Sequence, residues 1–461
     1  MNEPIRHIHF IGICGTAMGA VAAAMRAKGF TITGSDAGVY PPMSTFLESK
    51  GITLSEGYRA ENIPASADLI VVGNAISRGN LEVEAVLNRK LYYLSLPETL
   101  KQFFLRGRHN LVVTGTHGKT TTTSLLAWIL KSAGLDPAYM IGGIAKNLGQ
   151  GCVLNDARHV VLEGDEYDTA FFDKRSKFLH YLPELVVINN IEFDHADIYS
   201  SIDEIKLSFR RLLNVVPENG MILINADDAN CVEVAANCRA ELVEVGFSEN
   251  AARHIRDVRY TETGSEFTLL DTRFVLPMAG EYNVRNAAMA ISAAHFYGVK
   301  LEEIVKAVAA FAGVKRRQEI RGEVRGIKVI DDFGHHPTAI AQTLRGLRAQ
   351  YPGRRLWAVF EPRSNTTRRA IFQHELPAAL AEADGVVMAQ VARMDQLPPD
   401  QRLDPEQVVA DIAGTGRPAF YEPDVDAIIA RLRPLVSAPD VIVILSNGGF
   451  GNIHERLLKE L

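Results

Sequence analysis

The sequence predicts an α/β protein made of three domains, and two observations support this prediction. The chain has 461 residues, 47% of them hydrophobic. One core rarely encloses so many residues, and the length suggests about three domains. Short β-branched runs also alternate with helical patterns in three successive blocks, and each block starts again with a strand, a loop and a helix.

The first block, residues 1–107, predicts a Rossmann-like N-terminal domain. It opens with the apolar run HIHFIGI, followed by a glycine-containing turn, the alanine-rich segment MGAVAAAMRAKG and a second run, TITGSD. A strand, a helix and a strand in this order form a βαβ unit. A further strand is predicted at ADLIVVGNA.

The second block, residues 108–315, predicts a domain with a mainly parallel sheet. Its strand NLVVTG leads into the helical segment TTTSLLAWILKSAG, which we expect to end at Gly134. Strands follow at HVVLEGD, LVVINNI and GMILIN, then shorter strands over 253–277 and a helix at NVRNAAMAISAAHFYG. The third block, residues 316–461, predicts a Rossmann-like C-terminal domain with strands at GIKVIDDF, RLWAVFEP, DGVVMAQV and DVIVILSNGG.

Composition and charge narrow the function classes. A net charge of −6 offers no basic surface for nucleic acid. The apolar runs are far shorter than the roughly 20 residues of a membrane-spanning helix. The first residues also lack the basic and long apolar regions of a secretory signal. We therefore expect a cytoplasmic protein without membrane insertion, acting on small molecules as a monomer or a weak homo-oligomer.

The segment TGTHGKT, residues 114–120, predicts a phosphate-binding loop between a strand and a helix. Gly115 and Gly118 let backbone N–H groups approach an anion, and Lys119 can reach the β and γ phosphates. Thr120 offers a hydroxyl to Mg²⁺. The central domain is thus expected to be a P-loop ATPase, although the general motif has a glycine where this chain has Val113. The alternative is that Gly-Lys-Thr only starts a helix.

This loop resembles the ATP loop of the Mur ligases and the folylpolyglutamate synthetases. The segments EGDEYD, residues 163–168, and IEFDHAD, residues 191–197, resemble two further Mur ligase motifs. The resemblance, which spans essentially the whole chain, implies that Thr120, Glu163 and His195 hold Mg²⁺. Carboxylate suits this ion better than imidazole. His195 alone would otherwise be interpreted as a hydrogen-bonded loop histidine.

Later motifs imply the rest of the ATP site. YNVRNAA, residues 282–288, is similar to the family segment whose asparagines lie beside adenine, although Asn283 alone would pass as a helix N-cap. KRR, residues 315–317, and DDFGHHP, residues 331–337, resemble motifs near the γ-phosphate. We expect Lys119, Glu163, His195, Arg317 and Asp332 to be catalytic. The expected ATP-binding residues are Gly115, Thr116, His117, Gly118, Lys119, Thr120, Thr121, Asn283, Asn286, Arg317 and Asp332.

The first glycine-rich turn, GICGTAMG at residues 12–19, is close to a dinucleotide-binding fingerprint, but Cys14 replaces the middle glycine. In Mur ligases that use UDP-N-acetylmuramate, a similar turn takes the diphosphate. Ordinary strand-end turns are the alternative interpretation. The substrate residues that this resemblance implies are Gly12, Cys14, Gly15, Thr16, Gly19, Ser35, Asp36, Asn74 and Ser77. A lysine that other Mur ligases carry about fifteen residues beyond the motif histidine is absent, which also favours the muramate-binding branch.

Two muramate-using activities remain, the addition of L-alanine and the addition of a whole tripeptide. The insertion TAFFDKRSKF, residues 169–178, and Cys14 resemble the tripeptide-adding enzymes. So does the loop EPRSNT, in which Arg363, Ser364 and Asn365, together with His336, are expected to bind the peptide. We predict ATP-dependent joining of L-alanyl-γ-D-glutamyl-meso-diaminopimelate to UDP-N-acetylmuramate through an acyl phosphate, in peptidoglycan recycling. L-alanine addition is the alternative. An NAD-dependent oxidoreductase and a regulatory nucleotide-binding module are the candidates from other classes.

Overall fold

The structure, a computed structural model, describes residues 4–461, so residues 1–3 of the first predicted domain lie outside it. Sheets of five, eight and six strands follow one another along the chain, with helices between the strands. This arrangement confirms the predicted α/β fold class with three domains. Within residues 4–461, no helix is long and apolar enough to cross a membrane.

The N-terminal domain contains a parallel sheet of order β3-β2-β1-β4-β5. The order turns back at β1, so the βαβ unit predicted from the sequence lies at the centre of the sheet. Its elements are β1 (His7–Ile11), α1 (Thr16–Ala27), β2 (Thr31–Asp36), α2 (Met43–Ser49), β3 (Thr53–Glu56), β4 (Leu69–Val72), α3 (Leu81–Asn88), β5 (Tyr93–Ser95) and α4 (Leu96–Leu100).

The central domain contains the largest sheet, of order β15-β14-β13-β12-β6-β9-β7-β8, in which only the β7–β8 pair is antiparallel among the described strands. Strands β16 to β18 form a separate antiparallel sheet. The elements are β6 (His109–Thr114), α5 (Lys119–Ser132), β7 (Ala138–Met140), β8 (Cys152–Val153), β9 (His159–Glu163), β10 (Asp168–Ala170), β11 (Asp173–Ser176), β12 (Leu185–Ile188), α6 (Ile202–Leu213), β13 (Met221–Asn225), α7 (Ala229–Ala235), β14 (Glu241–Gly246), β15 (Arg253–His254), β16 (Arg256–Thr261), β17 (Gly264–Leu269), β18 (Thr272–Leu276), α8 (Glu281–Phe296) and α9 (Leu301–Ala309).

The C-terminal domain contains a sheet of order β19-β20-β24-β21-β22-β23, parallel except for the edge strand β19. The elements are β19 (Glu319–Val324), β20 (Ile327–Asp332), α10 (Pro337–Gln350), β21 (Leu356–Phe360), α11 (Glu375–Leu380), β22 (Gly385–Ala389), α12 (Pro405–Gly414), β23 (Ala419–Glu422), α13 (Val425–Leu432), β24 (Val441–Leu445) and α14 (Ile453–Glu460).

The strands are continuous apolar runs because helices cover both faces of the sheets. In β6, Leu111 and Val113 face one buried cluster and Val112 faces another, as the period of two requires. The second cluster also contains Ile8 and Phe10 of β1. One face of the central sheet therefore shares its core with the N-terminal domain.

The insertion noted in the sequence forms the antiparallel hairpin β10–β11. The ring of Phe172 at its tip meets Tyr93 of β5 edge to face, with centroids 4.9 Å apart. Phe171 and Phe172 both pack against the apolar cluster of the N-terminal domain. The hairpin is thus a second contact between the first two domains.

Candidate active site

A cavity of about 1050 Å³ lies where the three domains meet and is lined by residues from all of them. Its walls include the turn after β1, the loop between β6 and α5, the segment after β9 and the start of α10. Each of these segments follows the carboxyl end of a strand, which is where open α/β sheets bind their ligands. The cavity is therefore the candidate active site.

The loop between β6 and α5 has the backbone of a phosphate cradle. Gly118 adopts a left-handed φ of 80°, and a Cβ atom there would lie 2.3 Å from Oδ1 of Asn286. Glycine is therefore needed for both conformation and space. The same loop and helix start contain Gly115, Thr116, His117 and Thr121. Among the described residues, the last three of these line the cavity, and Gly115 does not.

Lys119 folds back over this loop. Its Nζ donates to the carbonyl of Gly115 at 2.6 Å and to Glu166 at 2.9 Å. Burial opposes its charge, but the carboxylates of Glu166 and Asp165 raise the pKa of Lys119 above its ordinary value. A cation is thus held where a phosphate on the loop would lie.

Glu163, at the end of β9, faces Thr120 across the cavity floor. Its Oε1 accepts from the Thr120 hydroxyl at 2.9 Å, and its Oε2 accepts from the N–H of Gly142 at 2.7 Å. Burial raises the pKa of the Glu163 carboxyl. Arg317 of the C-terminal domain donates from Nη2 to the same hydroxyl at 3.3 Å. Two domains therefore meet at Thr120.

Asp165, Glu166 and His195 form a second group of ligand atoms, all within 4.8 Å of one another. His195 Nε2 lies 3.1 Å from Glu166 Oε1. Burial opposes its protonation, but the hydrogen bond to Glu166 raises the pKa of His195. Its backbone φ of 56° is in the left-handed region, a strained conformation that typically marks functional sites.

Three family models match successive parts of the chain: Mur ligase family, catalytic domain, over 7–108; Mur ligase middle domain over 113–294; and Mur ligase, glutamate ligase domain over 316–448. A UDP-N-acetylmuramate–L-alanyl-γ-D-glutamyl-meso-2,6-diaminoheptandioate ligase of Escherichia coli is 42% identical, with 98% of each chain covered. The chain belongs to the Mur ligase family. It is therefore an ATP-dependent ligase that forms amide bonds.

Two further relatives of this Mur ligase are named for different activities. The crystal structure of a murein peptide ligase of Psychrobacter arcticus has 37% sequence identity and a TM-score of 0.70, covering 99% of this chain and 98% of that one. A UDP-N-acetylmuramate–L-alanine ligase of Acetivibrio thermocellus is 32% identical, covering 99% of this chain and 96% of the other.

In this Mur ligase, the glycine-rich turn after β1 is pinned to the end of β2. The N–H of Cys14 donates to Oδ2 of Asp36 at 2.9 Å, and Gly12 takes a φ of 85° against Ile76. The turn leaves its backbone facing the cavity. The expected substrate residues that line the cavity are Gly12, Cys14, Gly15, Thr16, Asp36 and Asn74.

Three other residues expected at this end lie outside the cavity lining within residues 4–461. Ser35 is fully buried, and its hydroxyl donates to the buried carboxylate of Glu82. Gly19 lies within α1, where a Cβ would be 2.6 Å from the Met43 sulfur, so it allows α1 and α2 to pack closely. Ser77 is exposed.

Arg317 lies on a strained hinge between the central and C-terminal domains. Its neighbours Arg316 and Gln318 both have left-handed φ values, of 61° and 47°. The Arg317 guanidinium stacks 4.5 Å from the centre of the Phe333 ring. Asp332 accepts from the N–H of Gln318 at 2.8 Å, so its carboxylate holds the hinge backbone. Burial raises the pKa of Asp332 and lowers that of Arg317.

The two asparagines at the start of α8 occupy different places. Asn283 lines the cavity, and its Oδ1 is buried without a hydrogen-bond partner among the described residues. Such an atom is available to a ligand donor, as an adenine amino group would be. Asn286 lies beneath Gly118 and supports the phosphate loop from below.

The acceptor-side residues are divided between two places. His336 lines the main cavity. Arg363, Ser364 and Asn365 lie outside its lining within residues 4–461, and Asn365 donates to Asp197 of the central domain at 3.0 Å. A smaller cavity of about 530 Å³ lies at the carboxyl ends of the C-terminal strands. Arg393, which sequence analysis did not single out, lines this cavity.

Four further residues of the site were not predicted individually from the sequence: Asp165, Glu166, Glu192 and Tyr282. All four stand inside segments that were recognised, but a motif does not show which side chain faces a lysine, an imidazole or the cavity. Tyr282 precedes Asn283 and lines the same cavity. Its position next to a recognised asparagine was the available signal.

Proposed function

We propose that this Mur ligase joins L-alanyl-γ-D-glutamyl-meso-diaminopimelate to UDP-N-acetylmuramate, using ATP and Mg²⁺, in the cytoplasm and in peptidoglycan recycling. One observation carries the proposal: the glycine turn of the first domain, the phosphate loop of the second and the hinge arginine of the third line the same cavity. The acceptor is inferred from the relatives, since the 42% identical ligase is named for the tripeptide and the 32% identical one for L-alanine.

Each domain has one binding task in this proposal. Residues 1–107 hold the UDP-sugar on the turn after β1, residues 108–315 hold ATP, and residues 316–461 bring the amine. The lactyl carboxylate attacks the γ-phosphate, and ADP leaves. Lys119 and Arg317 offset the charge that spreads over the transferred phosphoryl group. Both cations are partly buried at the loop, where a dielectric lower than that of water strengthens their effect.

The product of this first step is an acyl phosphate. The tripeptide amine then attacks its carbonyl carbon, the amine loses a proton, and inorganic phosphate leaves as the amide forms. Water would hydrolyse the acyl phosphate, so the cavity must be closed while it exists. Contacts between the second and third domains at Thr120 and Asp197 provide this closure.

The residues present fit Mg²⁺. Thr120 and Glu163 offer a hydroxyl and a carboxylate oxygen 2.9 Å apart, and Asp165, Glu166 and His195 add two carboxylates and an imidazole. Oxygen donors suit this hard ion. When bound, Mg²⁺ would neutralise charge on the phosphate oxygens. Glu166 pairs with Lys119 in this structure, and a phosphate on the loop would compete for that lysine.

The experiment supplies purified protein with ATP, Mg²⁺ and UDP-N-acetylmuramate, and adds either the tripeptide or L-alanine. We expect phosphate release with the tripeptide and little with L-alanine. Release with L-alanine alone would replace the tripeptide by the alternative acceptor and leave the chemistry intact. Lys119→Ala is the control for contaminating ATPase, because both reactions should stop in this variant. Release that persists in it would count against the phosphate loop.

A further inference from the structure

A third cluster of ligand atoms lies apart from the residues assigned to Mg²⁺. His117 of the phosphate loop and Glu192 after β12 belong to the central domain, whereas His336 is the N-cap of α10 in the C-terminal domain. One ligand atom from each lies within 4.8 Å of the others. The proposed reaction uses none of these three side chains for proton or phosphoryl transfer, although His117 and His336 also line the main cavity.

Two of the three spacings match the edge of a metal tetrahedron, and the third is at most 4.8 Å. Bonds of about 2.0–2.1 Å to Zn²⁺ place neighbouring ligands about 3.4 Å apart. Glu192 Oε2 lies 3.1 Å from His117 Nε2 and 3.4 Å from His336 Nδ1. Two imidazoles and one carboxylate form a donor set that favours Zn²⁺ and similar transition metals over Mg²⁺.

Surrounding hydrogen bonds hold the imidazole of His336 and the backbone of the other two ligands. His336 Nε2 lies 3.2 Å from the carbonyl of Phe193, and donation from Nε2 places the ring's lone pair on Nδ1. Nδ1 accepts a long hydrogen bond from the N–H of Thr338 at 3.3 Å and lies 3.4 Å from Glu192 Oε2, so a metal ion bound here would replace the Thr338 contact. A backbone carbonyl holding the far nitrogen is the usual second-shell partner of a metal-binding histidine. The backbone N–H of His117 donates to the side-chain oxygen of Asn190 at 2.7 Å, and the backbone N–H of Glu192 donates to the Thr116 hydroxyl at 2.8 Å. The backbone of both central-domain ligands is therefore fixed.

We propose that His117, Glu192 and His336 form a site for a Zn²⁺-class transition-metal ion, which fastens the C-terminal domain to the phosphate loop. The site is complete only when the domains are closed, because His336 alone comes from the third domain. A bound ion therefore favours the closed form. If the domains open to release the product, the ion must lose the His336 ligand. A bound ion therefore slows turnover.

The test measures metal binding directly. The protein is dialysed against Zn²⁺ or Co²⁺ in a large excess of Mg²⁺. The bound Zn²⁺ or Co²⁺ is then quantified by inductively coupled plasma mass spectrometry. The visible absorption of Co²⁺ reports imidazole ligation at low coordination number. We expect one equivalent per chain, and we expect the radius of gyration in solution to fall on binding.

Two variants test the ligands without relying on activity. His336→Asn removes the imidazole but retains a good helix N-cap, and Glu192→Gln keeps the shape of the side chain. Both variants should lose the one bound metal ion per chain and the visible absorption of bound Co²⁺. His335→Asn, at the neighbouring position, and His195→Ala, in the magnesium cluster, are matched controls that should retain both. Absence of binding by the wild type, or retention of the equivalent in His336→Asn, would overturn the proposal.

Discussion

Gly118 allows a sharp test, because the chain contains a matched glycine. Gly118 and Gly134 flank α5 with nearly equal φ values, 80° and 78°. A Cβ at Gly118 would lie 2.3 Å from Asn286 Oδ1 and 2.9 Å from Asn189 Nδ2, whereas a Cβ at Gly134 would meet nothing within 4 Å. Alanine at the two positions therefore separates backbone strain from the cost of the collision.

The magnitudes follow from these contacts. Left-handed backbone costs an L-residue about 1–2 kcal/mol, which is partly offset by the reduced freedom of the unfolded chain. Gly134→Ala should therefore lower the free energy of unfolding by about 1 kcal/mol. Gly118→Ala adds about 1–3 kcal/mol, because two buried amides must move. It also displaces the loop, and a shift near 1 Å costs roughly 100-fold in rate.

The assay combines unfolding with turnover. The chain has two tryptophans, Trp128 in α5 and Trp357 in β21. In a Trp357→Phe background, Trp128 fluorescence during urea unfolding reports on the central domain. ATP-dependent phosphate release gives kcat/KM for each variant. Gly134→Ala should keep near-normal kcat/KM, while Gly118→Ala should lose roughly 100-fold. Equal turnover in the two variants would refute the role of the collision.

Three further predictions concern other parts of the molecule. Arg317→Ala should lower kcat by about 1000-fold in steady-state assays of phosphate release; a change in KM alone would contradict its place at the phosphoryl group. Phe172 and Tyr93 should show a coupling of about 0.5–1.5 kcal/mol in a double-mutant cycle of alanine variants followed by urea unfolding, and additive effects would exclude the contact. Burial opposes ionisation of Asp173, but the Arg175 guanidinium lowers its pKa from 3.8 to about 2. The ionised pair therefore adds stability above pH 3.8, and this stability is lost as the pH falls toward 2. The urea midpoint of Asp173→Asn should therefore fall less between pH 3.8 and pH 2 than that of the wild type, and an equal fall in both would contradict the prediction.

Local signals were enough for most of the fold. The β-branched runs predicted strands such as β6, β9, β12 and β13, because a parallel strand covered on both faces is apolar along its whole length. Gly134 was correctly expected to end the helix after the phosphate loop, and it has a left-handed φ of 78°. These features depend on neighbours in sequence, which a sequence shows directly.

The site was predicted unevenly, for a physical reason. TGTHGKT and EGDEYD name the residues of two loops, but the partner of each side chain is set by distance across the sheet. The hydroxyl of Ser35 was expected at the substrate, yet it faces Glu82 because alternate residues of a strand face opposite sides. Asp332 was expected to be catalytic and to bind ATP; in this structure it lines the cavity, and its carboxylate accepts from the N–H of Gln318.

The sequence by itself determined the order of the domains, the phosphate loop and its resemblance to the Mur ligases, because each is carried by contiguous residues. Only the tertiary structure decided that Arg317 reaches Thr120, that Lys119 pairs with Glu166, and that His336 meets His117. Lys119 and Glu166 are 47 positions apart in the chain, and Arg317 and Thr120 are 197 positions apart. His336 and His117 are separated by a still longer stretch of chain. No local pattern encodes such distances, because they arise when three separately folded domains close on one cavity.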